Sequence, residues 1–391
     1  MKELDKRIDI IEETARNLGL DFFPTYFELC SPQVIHAFVS YGVPTRFRHW
    51  SFGKSFFKLQ FNYDLRIERI YELVVNSNPC YAYIMENNSL LLQSLVVAHV
   101  LAHSDFFKNN IFFAASDRQI LNTMAIHQER IKLYEEKYGF DKVEKTLDAV
   151  FALRNNILPS IQGDLLTFLC VHSKALEDWQ RDIIAIFKKE LEYFLPLRDT
   201  KIINEGWATY WHSKIMKKLP LSTGEQIEFA RLQGILLQNS KFALNPYVIG
   251  FKMFTHIEST YGCHEVFKVR SNERDISLFR NYLDEDLAKK LSLYMYGRRG
   301  DSWTIIETQW QKVRDGIVDS LINGGFPIIK ALDNNYQKTG GLYLFHCRDK
   351  KDLDLYYLEN TLKHIHFLWG EKVYLETVVK KEKKVFSYKG D

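Results

Sequence analysis

The sequence predicts a mainly α-helical protein, a helical, zincin-like body over residues 1–324 followed by a small C-terminal α+β subdomain over residues 325–391. Three observations carry that reading. Apolar residues recur at helical spacing through most of the chain. Of 391 residues 46% are apolar, with Gly at 19 and Pro at 9, a composition that buries a large core and leaves little room for linkers or disorder. After Pro327 the pattern turns to short alternating runs typical of strands.

Taken in order, Leu4, Ile8, Ile11, Ala15 and Leu18 mark an amphipathic first helix that Gly19 stops. Residues 20–85 are dense in aromatics and punctuated by Pro24, Gly42, Pro44 and Gly53, so irregular, aromatic-lined connections are expected there. Residues 88–104 carry one helical stripe, Leu92, Val96, His99 and His103, with Asn87, Asn88 or Ser89 as its N-cap. Helices are predicted at 116–138, 141–155, 164–195 (closed by Pro196), 200–218, 224–240, 246–260 and 304–322. Beyond them, 341–347 reads as a strand, 353–370 as a helix and 373–389 as a hairpin turning through Lys380 to Lys384.

Charge excludes some functions. The 52 Lys and Arg nearly balance the 49 Asp and Glu, giving +3, so any affinity for nucleic acid or anionic lipid is left to a local patch. No nucleic-acid module, Walker A loop, dinucleotide fingerprint or G-x-S-x-G elbow is present in the sequence. The five cysteines form no C-x-x-C pair, which points away from a disulfide framework or a thiolate zinc site and toward a reducing compartment. The N-terminal segment lacks the apolar core of a secretory signal. The apolar run at 90–102 is broken by Gln93, Ser94 and His99 and falls short of the roughly 18–20 residues of a membrane span. A soluble, cytoplasmic protein without a membrane span is therefore expected.

One constellation points to chemistry. His99 and His103 are four residues apart on a helix, so their imidazoles share a face and can chelate one ion. The spacing is that of H-E-x-x-H zinc hydrolases, but Val100 stands where their general base is found. A pair that merely packs is the structural alternative. In TKIINEGWATYWH, Glu205 and His212 lie two turns apart on one helix face. An acid near a helix start also has a plain electrostatic reason in the helix dipole. Yet N-E-G-x-A resembles the segment by which gluzincin peptidases supply a third zinc ligand, with small residues that allow close packing on the His helix. His99, His103 and Glu205 would thus form a two-His, one-carboxylate set for a divalent metal, Zn²⁺ before others.

With Val100 unable to act, Glu86, Tyr210 and His212 are the catalytic candidates for taking water's proton, His212 being better placed as a contact around the site than as a ligand. Arg46, His49, Trp50 and Lys54, interleaved with aromatics, are candidates for binding an anionic or carbohydrate-bearing substrate, against the alternative of a packed loop. A carboxylate-bridged di-iron site would require Glu86 or Glu129 to converge as well, and no Glu-x-x-His motif stands at His99, His103 or His127.

The segments GLDFFPTYFELC, YGVPTRFRHWSFGKSF, AHVLAHSDFFKNN, TKIINEGWATYWH and LWGEKVYLET, in this order, resemble the SpoVR family, the stage V sporulation protein R group. Leu197 after Pro196 and Ala102 depart from that family's usual Gln and Gly. The resemblance implies a cytoplasmic protein tied to assembly of the spore cortex, a peptidoglycan layer. Combined with the chemistry of the ligand set, the expectation is a metal-dependent hydrolase of an amide or peptide bond in a peptidoglycan-related or peptide substrate. The alternative is a non-catalytic regulatory or scaffold protein, with a protein partner and a structural metal or none.

Overall fold

The computed structural model of the chain describes residues 2–64, 72–156, 164–238, 244–347 and 352–390. It falls into two compact units, Met1–Arg46 with Trp50–Thr123 and Pro196–Val318, and Phe47–His49 with Met124–Leu195 and Asp319–Asp391. Sixteen α-helices against nine short strands among the described residues make the protein mainly α, as the apolar spacing predicts.

Helix α1 (Lys2–Asn17) buries Leu4, Ile11 and Ala15, and the chain leaves it through Gly19 at φ +95°. Residues 20–85 correct the expectation of irregular connections. They contain β1 (Thr25–Cys30), α2 (Pro32–Tyr41), α3 (Trp50–Asp64), β2 (Glu72–Val75) and β3 (Cys80–Met85). The strands form one sheet in the order β1-β3-β2, with β1 parallel and β2 antiparallel to β3. Of the punctuating residues, Gly42 ends α2 in the left-handed conformation, whereas Gly53 lies inside α3; Pro32 opens α2 at its first turn. Helix α4 (Leu90–Asn109) then starts at Ser89, whose hydroxyl accepts the Leu92 N–H. By length and composition α4 is apolar enough to cross a membrane, yet it lies mostly buried, as the core helix of its unit.

Helices α5 (Ile120–Tyr138), α6 (Phe140–Ala152), α7 (Leu165–His172) and α8 (Asp178–Asp199) follow. The single helix expected over 164–195 is two, because the Ser173 hydroxyl accepts the Ala175 N–H and donates to the Leu368 carbonyl, fixing a turn between α7 and α8. Pro196 does not close α8 either. It lies inside the last turn, and its carbonyl accepts the N–H and hydroxyl of Thr200. Helix α9 (Lys201–Met216) begins immediately after. Next come α10 (Thr223–Leu236), opened by a Ser222–Glu225 capping box, α11 (Pro246–Tyr261), α12 (Cys263–Asn272), α13 (Asp275–Tyr282) and α14 (Glu285–Lys290). The helix expected over 304–322 starts later: residues 302–307 belong to a hairpin of β4 (Met295–Arg299) and β5 (Ser302–Glu307), and α15 spans Trp310–Leu321. β-Branched Thr304, Ile305 and Ile306 favour the strand.

Near the C-terminus β6 (Ile328–Tyr336), β7 (Gly341–Cys347), β8 (Val373–Val379) and β9 (Glu382–Tyr388) form a sheet in sequence order, with α16 (Leu355–Trp369) as the crossover between parallel β7 and β8. Lys380 and Lys381, at φ 51° and 72°, make the two-residue turn of the expected hairpin.

The packing that matters most for function is between α9 and α11. A Cβ on Gly206 would lie 2.3 Å from the Gly250 Cα, and one on Gly250 2.4 Å from the Gly206 Cα and from the Ile202 carbonyl oxygen. The two helices cross backbone to backbone. Gly206 therefore serves α11, not the His helix as its place in N-E-G-W-A suggests. Gly250→Ala is expected to cost about 1–3 kcal/mol, read as a lower urea midpoint at unchanged slope.

Candidate metal centre

Helices α4 and α9 and the first residue of β2 bring their polar groups to one point. His99 and His103 project from α4, and their Nε2 atoms stand 3.0 Å apart. From α9 the Glu205 Oε2 lies 3.6 Å from each Nε2. From β2 the Glu72 Oε1 lies 3.8 Å from the His99 Nε2. One ligand atom each from Glu72, His99 and His103 falls within 4.8 Å of the others. Two atoms bound about 2.1 Å from one ion are about 2.9–3.4 Å apart at octahedral or tetrahedral angles. The separations found are those of a donor set slightly expanded around an ion's position.

Hydrogen-bond direction fixes which atoms face that point. The His103 Nδ1 stands 2.9 Å from the Asn204 Oδ1, an acceptor only, so Nδ1 carries the proton and Nε2 the lone pair. The His212 Nε2 stands 3.0 Å from the Gln233 Oε1, so its proton is on Nε2 and its Nδ1 accepts from the His99 Nδ1–H, 2.9 Å away. In a neutral His99 ring the Nε2 is then also a lone pair. The two Nε2 atoms thus meet beside the Glu205 Oε2, which is buried without a hydrogen-bond partner. With His99 deprotonated this is a knot of acceptors, and the residues fit a divalent metal with orienting partners on both histidines.

Electrostatics agree. Burial, reinforced by the charge of His99, pulls His103 down to about 4, and burial with the same neighbour takes His212 to about 3, so both are neutral near pH 7, as ligands and their orienting partners must be. For His99 burial is outweighed by Glu205 and Glu72, and its pKa rises. Burial raises Glu72, whereas for Glu205 the histidines outweigh burial and hold the carboxylate ionised. The field at this point favours positive charge.

Glu205 lies beyond the first turn of α9, so the helix dipole is not its reason. The first-turn N–H groups of Ile202 and Ile203 are instead both accepted by Asp275, at 2.9 Å each, from the start of α13. Burial pushes Asp275 up to about 7 against those two donors. With the native pKa above the ordinary 3.8, its contribution to stability is full below about pH 4 and lost as pH rises through about 7. Asp275→Asn is expected to flatten the fall in stability across that window, measured by urea unfolding at a series of pH values.

Other sequence candidates stand elsewhere. Glu86 is exposed in the turn after β3. Tyr210 points to α11, its hydroxyl 2.5 Å from Lys214, which also pairs with Glu258. No contact places either of them at the donor set among the described residues. His212 does reach it, as the residue that orients His99. Arg46 is buried over the Phe52 ring and donates to the Tyr41 carbonyl. His49 stacks on Phe151 and pairs with Asp148. Trp50 and Lys54 lie on the exposed side of α3. These four thus serve different surroundings instead of one clamp. Glu72, Asn204 and Gln233 were not foreseen: of them only Asn204 had a signal, its place beside Glu205.

Comparison with known proteins covers nearly the whole chain. A family model described as "SpoVR like protein" matches residues 1–163 and 155–326, and one described as "SpoVR-like C-terminal domain" matches residues 327–380. The chain is 28% identical over 465 residues to "Uncharacterized protein YcgB" of Escherichia coli (strain K12), covering 95% of this chain and 91% of that protein. No solved structure matches.

Proposed function

The chain belongs to the SpoVR-like family, and from that premise we propose that it is a metal-dependent hydrolase acting on an amide or peptide-like bond. The observation that carries the reading is the convergence of the His99 and His103 Nε2 atoms, 3.0 Å apart, with the buried Glu205 Oε2 at 3.6 Å from each. His99, His103 and Glu205 would hold the ion, with Zn²⁺ the first choice for this donor set. Bound there, such an ion would supply a Lewis acid that polarises a carbonyl and acidifies water. Glu72, not Val100, is the acid beside the histidines, its Oε1 3.8 Å from the His99 Nε2, and it would accept the proton of an attacking water. Asn204 and His212 hold the two imidazoles in the tautomers that the site requires. A cytoplasmic location and a peptidoglycan-related or peptide substrate from cortex assembly complete the proposal, on the strength of the family.

The second reading is a regulatory or scaffold protein with a structural ion. It is favoured by burial: His99 and His103 are 4% and 5% exposed. One experiment separates them. Protein purified without chelator is assayed for metal by mass spectrometry, then for turnover of cortex fragments before and after EDTA treatment and metal restoration. About one equivalent of metal with turnover that the metal restores supports hydrolysis. Metal with a large fall in melting temperature on chelation and no turnover supports the scaffold. Absence of any bound transition metal, including after reloading, overturns both metal readings.

A further inference from the structure

We propose that the outer edge of β2 takes the substrate as an added strand, an extended polypeptide laid beside Glu72. This names the substrate class of the site above and rests on the hydrolase reading for the reaction, although strand addition itself needs no ion. In the order β1-β3-β2, β2 is an edge strand, and among the described residues it pairs with β3 alone, antiparallel, from Glu72 opposite Ile84 to Val75 opposite Tyr81. Its further backbone bond, from the Ser77 N–H to the Val75 carbonyl, belongs to the hairpin turn. The N–H and C=O groups on its outer side are thus left for a partner. Both faces of the strand are covered. Glu72 turns to α4, where it meets His99, while Leu73 turns the other way beside Tyr83, whose ring packs edge-on at 4.9 Å against Phe38 of α2. Helices α2 and α4 both pack on β2, so the partial exposure that Glu72, Leu73 and Val74 keep lies along the edge. Open edges are ordinarily blunted by Lys or Pro. Glu72–Val75 has neither.

The backbone decides the occupant. A row of amide donors and carbonyl acceptors is answered by another chain in extended form, which supplies the same groups at the same spacing. A strand added there runs about 4.8 Å from β2. Glu72 is the residue through which β2 reaches the donor set, so the added chain passes the metal centre with an amide opposite Glu72. β1, the other edge of the sheet, contributes no residue to that set. Side chains of the added strand alternate between the α4 face and the α2 face, which leaves sequence preference to every second position.

The test starts from a tryptic digest of casein, whose unstructured peptides sample many sequences, passed in the cold over the immobilised full chain both as purified and after EDTA treatment. The best-retained peptide is then synthesised in plain form and in two forms N-methylated on alternate residues, one for each register. Fluorescence anisotropy is expected to show the plain peptide bound, one methylated form weakened by at least about tenfold, and the other unchanged, because only one set of amides faces β2. Hydrogen exchange of the amides in residues 72–75 should slow with peptide, and that of β1 should not. Binding that survives EDTA, without turnover when metal is restored, strikes the hydrolase reading and leaves strand addition standing. Retention of no peptide, equal binding of all three forms, or protection confined to β1 or to helices overturns the proposal. So does a dimer of the peptide-free chain that already protects residues 72–75, which assigns the edge to a second copy.

Discussion

Replacing His103 with alanine is expected to weaken divalent-ion binding by about a hundredfold or more, since even partners that only orient a ligand are worth 10- to 100-fold. His103 contributes one of the two Nε2 atoms that meet 3.0 Å apart, and its loss leaves His99 and Glu205 as an incomplete pair. His99→Ala and Glu205→Gln should behave alike. Asn204→Ala and Gln233→Leu should each cost about 10- to 100-fold, because they release the proton positions that aim the lone pairs. Competition titration against a chromogenic chelator ranks the series. Equal affinity for the original and His103→Ala proteins would mean that the ion sits elsewhere. Glu72→Gln separates its two possible roles: unchanged metal content with lost turnover marks a proton acceptor, and lost metal marks a ligand. In the His103→Ala protein, chelator should no longer lower the melting temperature, since the linked free energy of binding is already gone.

The parts of this site that local sequence carries were legible, and those that only tertiary packing carries were not. The His99–His103 spacing and the cap at Ser89 lie within one helix, so periodicity finds them. Glu205 was visible through the residues beside it, although Gly206 answers to Gly250 on α11 rather than to α4. Glu72 is one acid in a four-residue strand, and it arrives beside His99 only because β2 pairs antiparallel with β3. Gln233 comes from α10 and gives no spacing signal. The same division explains the fold. Long periodic helices are read well, while β1, β2 and β3 are hidden in a segment of short elements, where Gly42 marks a joint but Gly53 lies inside α3. Ser173 breaks α7 from α8 through a contact to Leu368 that no local window contains.

Asp105→Ala is expected to cost about 3–5 kcal/mol, the usual consequence of leaving one member of a buried ion pair without its partner. Asp105 lies on α4 two positions beyond His103. Its carboxylate accepts from both directions of the core: the Asp21 N–H at 2.7 Å, the Trp207 Nε1–H at 2.9 Å, and the Arg270 guanidinium at 3.1 Å to each oxygen. Burial pushes its pKa up to about 6, and Arg270 with the other donors keeps it from rising further. Truncation strands the Arg270 charge between α12 and α4, together with an indole N–H that has lost its acceptor. Asp105→Leu combined with Arg270→Met should recover part of the loss, because the uncompensated charge is removed with its partner. Urea midpoints of the single and double variants test this, and a cost under about 1 kcal/mol for Asp105→Ala would place the pair among interactions that add little. The position gives the effect a functional reach. Trp207 lies two residues beyond Glu205 on α9, so the Asp105–Trp207 bond sets α4 against α9 at the level where His103 meets Glu205. Folded Asp105→Ala protein, examined well below its melting temperature, should therefore also bind metal more weakly, without any change in the donor atoms themselves.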